Sequence, residues 1–525
     1  MRFDYIVVGA GSAGCAVAAR IADAKPNETV ALIEAGPSDD SSLVRTPMMA
    51  AILFSTPNKR NWYYHTVPQA GLNGRRGFQP RGRGLGGSSS INAMIYIRGH
   101  HQDYDDWANL GCQGWGWQDV FPYFKRAENN VRITDEWHGA TGPLHVEDFQ
   151  EINPYSKLFI EAATAAGHNF NPDFNGETQE GVGYYQLTAI NGERCNAACA
   201  YIHSKTRKNL EVIINTSVSK ILFENKRAVG IRVDRKGEHE NIYANKEVIL
   251  SAGAYGSPQL LMCSGVGPAE HLKSFNIPIV YDAPEVGKNL QDHITGSILR
   301  KIKSPDLFGF TPLTLLQSIR GIYQFKHNRR GILASTHCEG AGFLKTSPTL
   351  ERPDIQLHFE TALNDAHLHV PHFATGISLY VSVLRPKSRG QVLLASENSK
   401  TAPLIDPNYF AEEEDMQTMV KGMKLAHKIL SAPSLSGKDV YAEGIKDEDW
   451  QELIRNHADT IYHPVGTCRM GNDANAVVDT KLRVNGVEGL RVIDASIMPT
   501  IIGGNTNAPT IMIGEKGADL VIMEK

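Results

Sequence analysis

The spacing of apolar and polar positions changes along the chain, and the changes mark its elements. Residues 4–8 (DYIVV) are a short apolar run entering a glycine cluster, which predicts a buried parallel strand. The alanine-rich stretch 12–23 predicts a helix and 30–34 (VALIE) a second strand, so the first 35 residues read as one βαβ unit. Residues 35–130 look irregular. Strand patterns return over 211–251 (EVIINTSVSKILFE, AVGIRVD, KEVILSAG). Between 306 and 330, Leu315, Leu316, Ile319, Ile322 and Tyr323 recur at helical spacing. Residues 355–395 alternate apolar and polar (IQLHFE, ISLYVSVL, QVLLAS), predicting antiparallel strands. Stretches 411–431 and 447–458 read as helices. The segment 490–525 returns to a strand (LRVID), a glycine loop and a closing helix.

Length alone allows three or four domains, since 525 residues are divided at about 150 per domain. Signals of one type at both chain ends, with antiparallel patterns between, instead predict one discontinuous domain with a second inserted. Hydrophobic residues make up 42 % and charged residues 21 %, enough for a large soluble core. The net charge of −4 argues against an electrostatic nucleic-acid binder. Seven scattered cysteines predict a reducing, cytoplasmic setting rather than a disulfide framework. No apolar run is long enough to predict a spanning helix.

Gly9-x-Gly11-x-x-Gly14 lies between the first strand and its helix, with Glu34 twenty residues later at the end of the second strand. Gly9 permits the tight turn. Gly11 lets a pyrophosphate approach the helix N-terminus, and Gly14 lets helix and strand pack closely. Glu34 is placed to accept hydrogen bonds from a ribose. This pattern predicts a bound dinucleotide and leaves NAD and FAD both open.

Three more clusters narrow the choice. Residues 81–99 (RGRGLGGSSSINAMIYIRG) offer backbone amides after a glycine turn. Residues 250–267 (LSAGAYGSPQLLMCSGVG) end a strand at small residues and begin a helix. The third is Val492-Ile493-Asp494-Ala495-Ser496, a strand ending in an aspartate suited to a ribityl hydroxyl. Together the clusters resemble the glucose–methanol–choline (GMC) oxidoreductase family from residue 4 to about 520. The stretches EVGKNLQDH (285–293), YHPVGTCRMG (462–471) and DASIMP (494–499) are similar to bacterial choline dehydrogenases and aliphatic alcohol dehydrogenases of that family. The resemblance implies an α/β fold: a Rossmann-like FAD-binding domain and an inserted substrate domain built on an antiparallel sheet. It assigns 1–155, 205–297 and 458–525 to the first domain, and 156–204 and 298–457 to the second. The implied FAD contacts are Gly9, Gly11, Ser12, Ala13, Gly14, Glu34, Ala35, Gly87, Ser88, Asn92, Ala93, Met94, Val218, Ala252, Asp494, Ala495, Asn505 and Thr506. Some relatives attach FAD through a histidine where this chain has Ile91. Isoleucine forms no such bond, so the expected FAD is non-covalent.

Alcohol oxidation needs a proton acceptor near neutral pKa, a task suited to histidine. Among 19 histidines, His463 stands out because Pro464 restricts its backbone and because the resemblance puts the catalytic histidine there. The resemblance puts its partner at Asn507, with Asn505 as the alternative. The expected reaction is oxidation of a primary alcohol to the aldehyde, with electrons passed to a quinone, a dye or oxygen. Choline is the second expected substrate, and Glu360 with Phe359 or Tyr380 is a candidate site for its trimethylammonium. Lyase and photodecarboxylase chemistry on the same fold is the alternative of a different class.

Other tempting groups read as structural. Cys195, Cys199 and His203 lack the spacing of a zinc site, so no metal is expected. Cys468, the pair His100–His101, and the cluster His367, His369 and His372 read as packing or solvated loop. The helix near 313–325 ends in Lys326, Arg329 and Arg330. It reads as packed on the substrate domain, with a lid or peripheral contact at the inner face of the membrane as alternatives.

Overall fold

In this computed structural model the chain is described at residues 1–235, 237–309, 311–365, 370 and 372–524. In chain order, the elements used below are β1 (Arg2–Val8), α1 (Ser12–Ala24), β2 (Val30–Ile33), β3 (Leu210–Ile213), β4 (Ser217–Glu224), β5 (Arg227–Arg235), β6 (Glu238–Leu250) and α2 (Gly253–Cys263). They continue with β7 (Ile294–Lys301), α3 (Pro312–Asn328), β8 (Cys338–Leu344), β9 (Ile355–Glu360), β10 (Gly376–Val383), α4 (Glu413–Leu430), β11 (Leu490–Val492) and α5 (Asn507–Ile522).

In the first sheet β3, β2, β1, β6 and β11 run parallel, with Ile213, Ile33, Val8, Leu250 and Val492 level at their carboxyl ends. All four residues of β2 are buried, as a strand covered on both faces requires. The chain builds outward from β1 through β2 to β3, then crosses to β4 at the opposite edge and returns through β5 to β6 on the other side of β1. A crevice at such a reversal, outside the carboxyl ends, is where parallel sheets bind ligands. The sheet continues into antiparallel β5 and β4, joined by Asn225 and Lys226 at positive φ, as a two-residue hairpin turn demands. The α/β reading is thus met, and its parallel core is covered by α1 and α5.

The second sheet is antiparallel, with β7, β10, β9 and β8 side by side and the strand Gly181–Tyr184 beside β8. Its period of two sorts the side chains. Ile355, Leu357, Phe359, Ile377, Leu379 and Val381 pack against Met416, Met419 and Met423 of α4 and against Phe159. Thr295, Ser297, His358, Glu360 and Tyr380 point the other way, into a cavity shared with the first sheet. The strand Asp459–Thr460 pairs with Ile294 and Thr295 of β7. The antiparallel sheet therefore draws on both 205–297 and 458–525, stretches assigned from sequence to the cofactor half. Backbone groups entering the sheet at Ile294 need ladder partners at once.

Helix α3 occupies the segment with helical spacing. Phe325 is buried with Leu333, while Ile319, Ile322 and Tyr323 are exposed. His367, His369 and the side chains of Leu315 and Leu316 lie outside the described residues.

Glu515 of α5 ties four elements together. Fully buried, it accepts hydrogen bonds from Arg20 of α1 at 2.8 and 2.9 Å, Arg126 Nε at 2.7 Å and the Tyr201 hydroxyl at 2.6 Å. Both arginines are partly exposed and recover some hydration when the carboxylate is lost. Glu515→Ala is accordingly expected to cost roughly 2–3 kcal/mol. A thermal melt should show the midpoint lowered by several degrees, and an unchanged midpoint would count against this linchpin role.

Candidate active site

A cavity of about 760 Å³ begins at the carboxyl ends of the parallel strands and reaches the polar face of the antiparallel sheet. Of the residues expected from sequence to hold cofactor or substrate, all but Gly14 and Phe359 line it; Phe359 belongs to the apolar face of β9 and packs on Phe159 instead, so it is no part of a substrate site. Gly14 is packed: a Cβ there would collide with the Gly9 carbonyl oxygen, the close helix–strand approach expected of the third glycine. Gly9 sits at φ +100°, and a Cβ on it would meet the Ser251 carbonyl. Gly11 differs. Its nearest obstacle to a Cβ is 4.0 Å away, so protein packing does not explain the missing side chain and the space faces the cavity. Gly11 is the N-cap residue of α1 and supplies no side-chain cap, and the first turn holds no acidic residue, leaving amide N–H groups for an anion.

Glu34 is also held by backbone. Its Oε1 accepts from Gly36 and Gly84 at 2.8 Å each, and its Oε2 from Ala10 at 2.9 Å. A carboxylate offers about four acceptor positions, so one remains for a ribose hydroxyl. Burial pushes the Glu34 carboxyl up, and these three N–H groups oppose it. The 81–99 segment closes over α1, with Gly87 against the Gly11 backbone. Asn92 Oδ1 accepts from Arg194 at 2.7 Å and from the Met94 amide at 3.1 Å, which supports Met94 at φ +65° on the cavity wall. Ile91 lies on the same wall beside Val44 and Leu53. The uncapped helix, the open space at Gly11 and the remaining Glu34 acceptor fit a dinucleotide.

Asp494 departs from its expected role. Its Oδ2 accepts from the Gly253 amide at 2.9 Å and Ser257 Oγ at 2.6 Å, and its Oδ1 from the Ser496 amide at 2.8 Å and Ser496 Oγ at 2.5 Å. Four protein donors fill the carboxylate, so it anchors the start of α2 rather than a ribityl hydroxyl.

His463 is buried at the far end of the cavity. Its backbone N–H donates to Asp292 Oδ1 at 2.9 Å, and Asp292 Oδ2 also takes hydroxyls from Thr460 at 2.5 Å and Tyr409 at 2.6 Å. The preceding Tyr462 is held at φ +73°, an uncommon conformation for a bulky residue. The ring has a neighbour on each nitrogen. His463 Nδ1 is 2.9 Å from His293 Nδ1, and Nε2 is 3.2 Å from Asn505 Nδ2. Burial drives the His463 pKa well below the usual imidazole value, and His293, His358 and Arg81 push it further down. Each of these effects favours the neutral ring.

The partner of His463 is therefore Asn505, not Asn507 as expected. Asn507 opens α5 and its Oδ1 accepts from Ser12 Oγ at 2.7 Å, which turns it toward the first turn of α1. Asn505 precedes the helix and can reach across to the antiparallel sheet. There its Oδ1 accepts from Gln356 Nε2 at 3.0 Å, and Gln356 also donates to the Tyr185 hydroxyl at 2.8 Å.

Asp292, His293, Tyr185, Gln356 and His358 went unassigned at the level of sequence. Two signals pointed to some of them. Asp292 and His293 close the stretch NLQDH, and Gln356, His358 and Glu360 occupy every second position of a strand whose other face is apolar. Tyr185 carried no such signal. Glu360 faces the cavity with Asn364 Nδ2 at 3.1 Å, and burial raises its carboxyl to about 7.

Several discounted groups have structural partners: His101 stacks on Trp117, His203 bonds Asp39 at 2.8 Å, and His372 bonds Asp365 at 2.7 Å. All seven cysteines are free. Among the described residues no group of three or more His, Cys, Asp or Glu is placed to hold a metal, and no helix is long and apolar enough to cross a membrane.

Known proteins resemble this chain over most of its length. The GMC oxidoreductase family models match residues 3–295 and 386–514. An alcohol dehydrogenase [acceptor] of Pseudomonas putida is 45 % identical over 99 % of this chain and 96 % of its own. The mitochondrial choline dehydrogenase of Mus musculus is 40 % identical over 99 % of this chain and 89 % of its own. The crystal structure of pyridoxine 4-oxidase from Mesorbium loti superposes with a TM-score of 0.89 at 29 % identity, covering 98 % of each chain. With a glycine cradle at one end of its cavity and a buried neutral histidine at the other, and with family matches over most of its length, the chain belongs to the GMC oxidoreductases.

Proposed function

We propose that this protein oxidises a primary alcohol to the aldehyde with non-covalent FAD. The observation that carries the reading is the neutral His463 ring in the cavity shared with the dinucleotide cradle, its Nε2 beside Asn505. FAD, when bound, supplies the hydride acceptor at its flavin N5. His463 Nε2 takes the hydroxyl proton, and the Asn505 amide holds the same oxygen during the transfer. Asn507, tied to Ser12, serves the cofactor side of the cavity. Asp292 keeps the His463 backbone from shifting. The electrons go on to a quinone, a dye or oxygen. We assign peripheral membrane contact to the outer face of α3. It exposes Ile319 at 60 %, Ile322 at 57 % and Tyr323 at 67 %, next to Arg320 and Lys326.

Choline is the second reading, favoured by Glu360. This carboxyl faces the cavity between β7, β9 and β10, with Tyr380 and Tyr462 on the same wall, a setting that suits a quaternary ammonium. A primary alcohol without charge needs no such group.

Three measurements test these readings. His463→Ala should bind FAD yet slow anaerobic bleaching of the flavin by alcohol about a hundredfold or more. Bleaching at the wild-type rate would remove His463 from the reaction. Acid precipitation of the holoenzyme should release all the flavin into the supernatant, because the Ile91 side chain has no nucleophile, whereas flavin retained in the pellet would refute non-covalent binding. The third concerns Glu360, raised to about 7 by burial against the opposing Asn364 hydrogen bond. Only its ionised form attracts a cation, so kcat/KM for choline should climb as pH rises through about 7. Glu360→Gln should remove that rise and lower the choline to 1-butanol ratio of kcat/KM by about tenfold or more. An unchanged ratio would exclude the choline reading.

A further inference from the structure

We infer that His293, which does not reach the cavity, selects the nitrogen of His463 that receives the substrate's proton, through a one-directional hydrogen-bond chain from Gln356 to the Leu384 carbonyl. This rests on the reading of His463 as the base. The chain can be followed from either end, and both ends give the same answer.

From one end, His293 Nε2 lies 3.1 Å from the Leu384 carbonyl oxygen. A carbonyl only accepts, so Nε2 carries a proton. Burial lowers the His293 pKa to about 4, so the ring is neutral near neutral pH and its Nδ1 is bare. That bare nitrogen is 2.9 Å from His463 Nδ1, with the two rings at 90° and their centroids 5.1 Å apart. His463 must then supply the proton of this bond from Nδ1. A neutral imidazole carries one ring proton, so His463 Nε2 is bare.

From the other end, Gln356 Nε2 donates at 3.0 Å to Asn505 Oδ1. This fixes the Asn505 amide with Nδ2 toward His463 Nε2, 3.2 Å away. An amide N–H there requires a bare nitrogen. Gln356 is in turn placed by the Tyr185 hydroxyl at 2.8 Å, and that hydroxyl has the Leu357 carbonyl at 3.1 Å. The opposite tautomer of His463 would set N–H against N–H at Asn505 and bare nitrogen against bare nitrogen at His293. Both contacts would be lost together.

The same bond serves after proton transfer. The hydroxyl O–H bond breaks and a new N–H bond forms at His463 Nε2, while the Asn505 N–H turns from that nitrogen to the substrate oxygen; no other proton needs to move. The cationic ring then donates from Nδ1 to a neutral acceptor, a charge-assisted bond stronger than before. His293 is fully buried and does not line the cavity, so it acts as a positioning residue and touches no substrate.

The test compares His293→Leu, His293→Asn and His463→Ala holoenzymes. The probe is whichever of benzyl alcohol, 1-octanol or choline bleaches the wild-type flavin. Leucine removes the acceptor; the Oδ1 of asparagine stands where Nδ1 stood and can only accept. His293→Leu should slow the limiting rate of anaerobic bleaching about a hundredfold with little change in the half-saturating alcohol concentration, and His293→Asn should recover it to within about tenfold of wild type. Equal rates in the two His293 variants, fast or slow, would overturn the inference. A fast His463→Ala would instead overturn the reading of the base. Ring-15N spectra give a measurement without turnover. The histidine signal missing in His463→Ala should show Nδ1–H with bare Nε2 in the wild type, and Nε2–H there would overturn the inference even if His293→Leu fails to fold.

Discussion

A buried imidazole needs a hydrogen-bond partner on each of its two nitrogens, and at His463 those partners come from separate parts of the chain. His293 stands at the entry to the antiparallel sheet, and Asn505 stands just ahead of the last helix. Asp292, next to His293, grips the His463 backbone. Keeping this ring in place requires the antiparallel sheet and the loop ahead of the last helix to meet at a fixed distance, because its neighbours are carried on both. Removal from water keeps the ring neutral, and it also makes an unmatched nitrogen costly.

The other end of the cavity obeys a related constraint. Backbone amides must be left open for a ligand without collapsing on one another. The open space at Gly11, the uncapped start of α1 and the last acceptor position on Glu34 meet that need. Asp494 shows the counterpart: its oxygens are filled by α2 and its own turn, so it shapes the cavity by holding protein in place. Carboxylates with similar placement along two parallel strands thus do different work, and the number of protein donors at each decides which.

Much of this is legible in the sequence. The βαβ start, the glycine spacing with Glu34, and the alternation over IQLHFE and ISLYVSVL follow from periods of 3.6 and 2 and from glycine's missing Cβ. Each appears in the structure where the pattern put it. His463 was legible because Pro464 and its surrounding stretch set it apart. The choice between Asn505 and Asn507 was not. Two residues along an irregular segment reverse nothing that a pattern can register, and the start of α5 falls between them. Once the helix begins at Asn507, that side chain is turned toward Ser12 and only Asn505 can face the sheet.

Local pattern by itself determined the elements, the cradle glycines and the polar face of the antiparallel sheet, since each depends on neighbours a few residues away. Tertiary structure alone decided which polar residues from that face, from NLQDH and from the last loop would meet around one ring. Gln356 and Asn505 are 149 positions apart, and His293 and His463 are 170. Hydrogen bonds act over about 3 Å, so such partnerships exist only after both sheets have packed and closed the cavity between them.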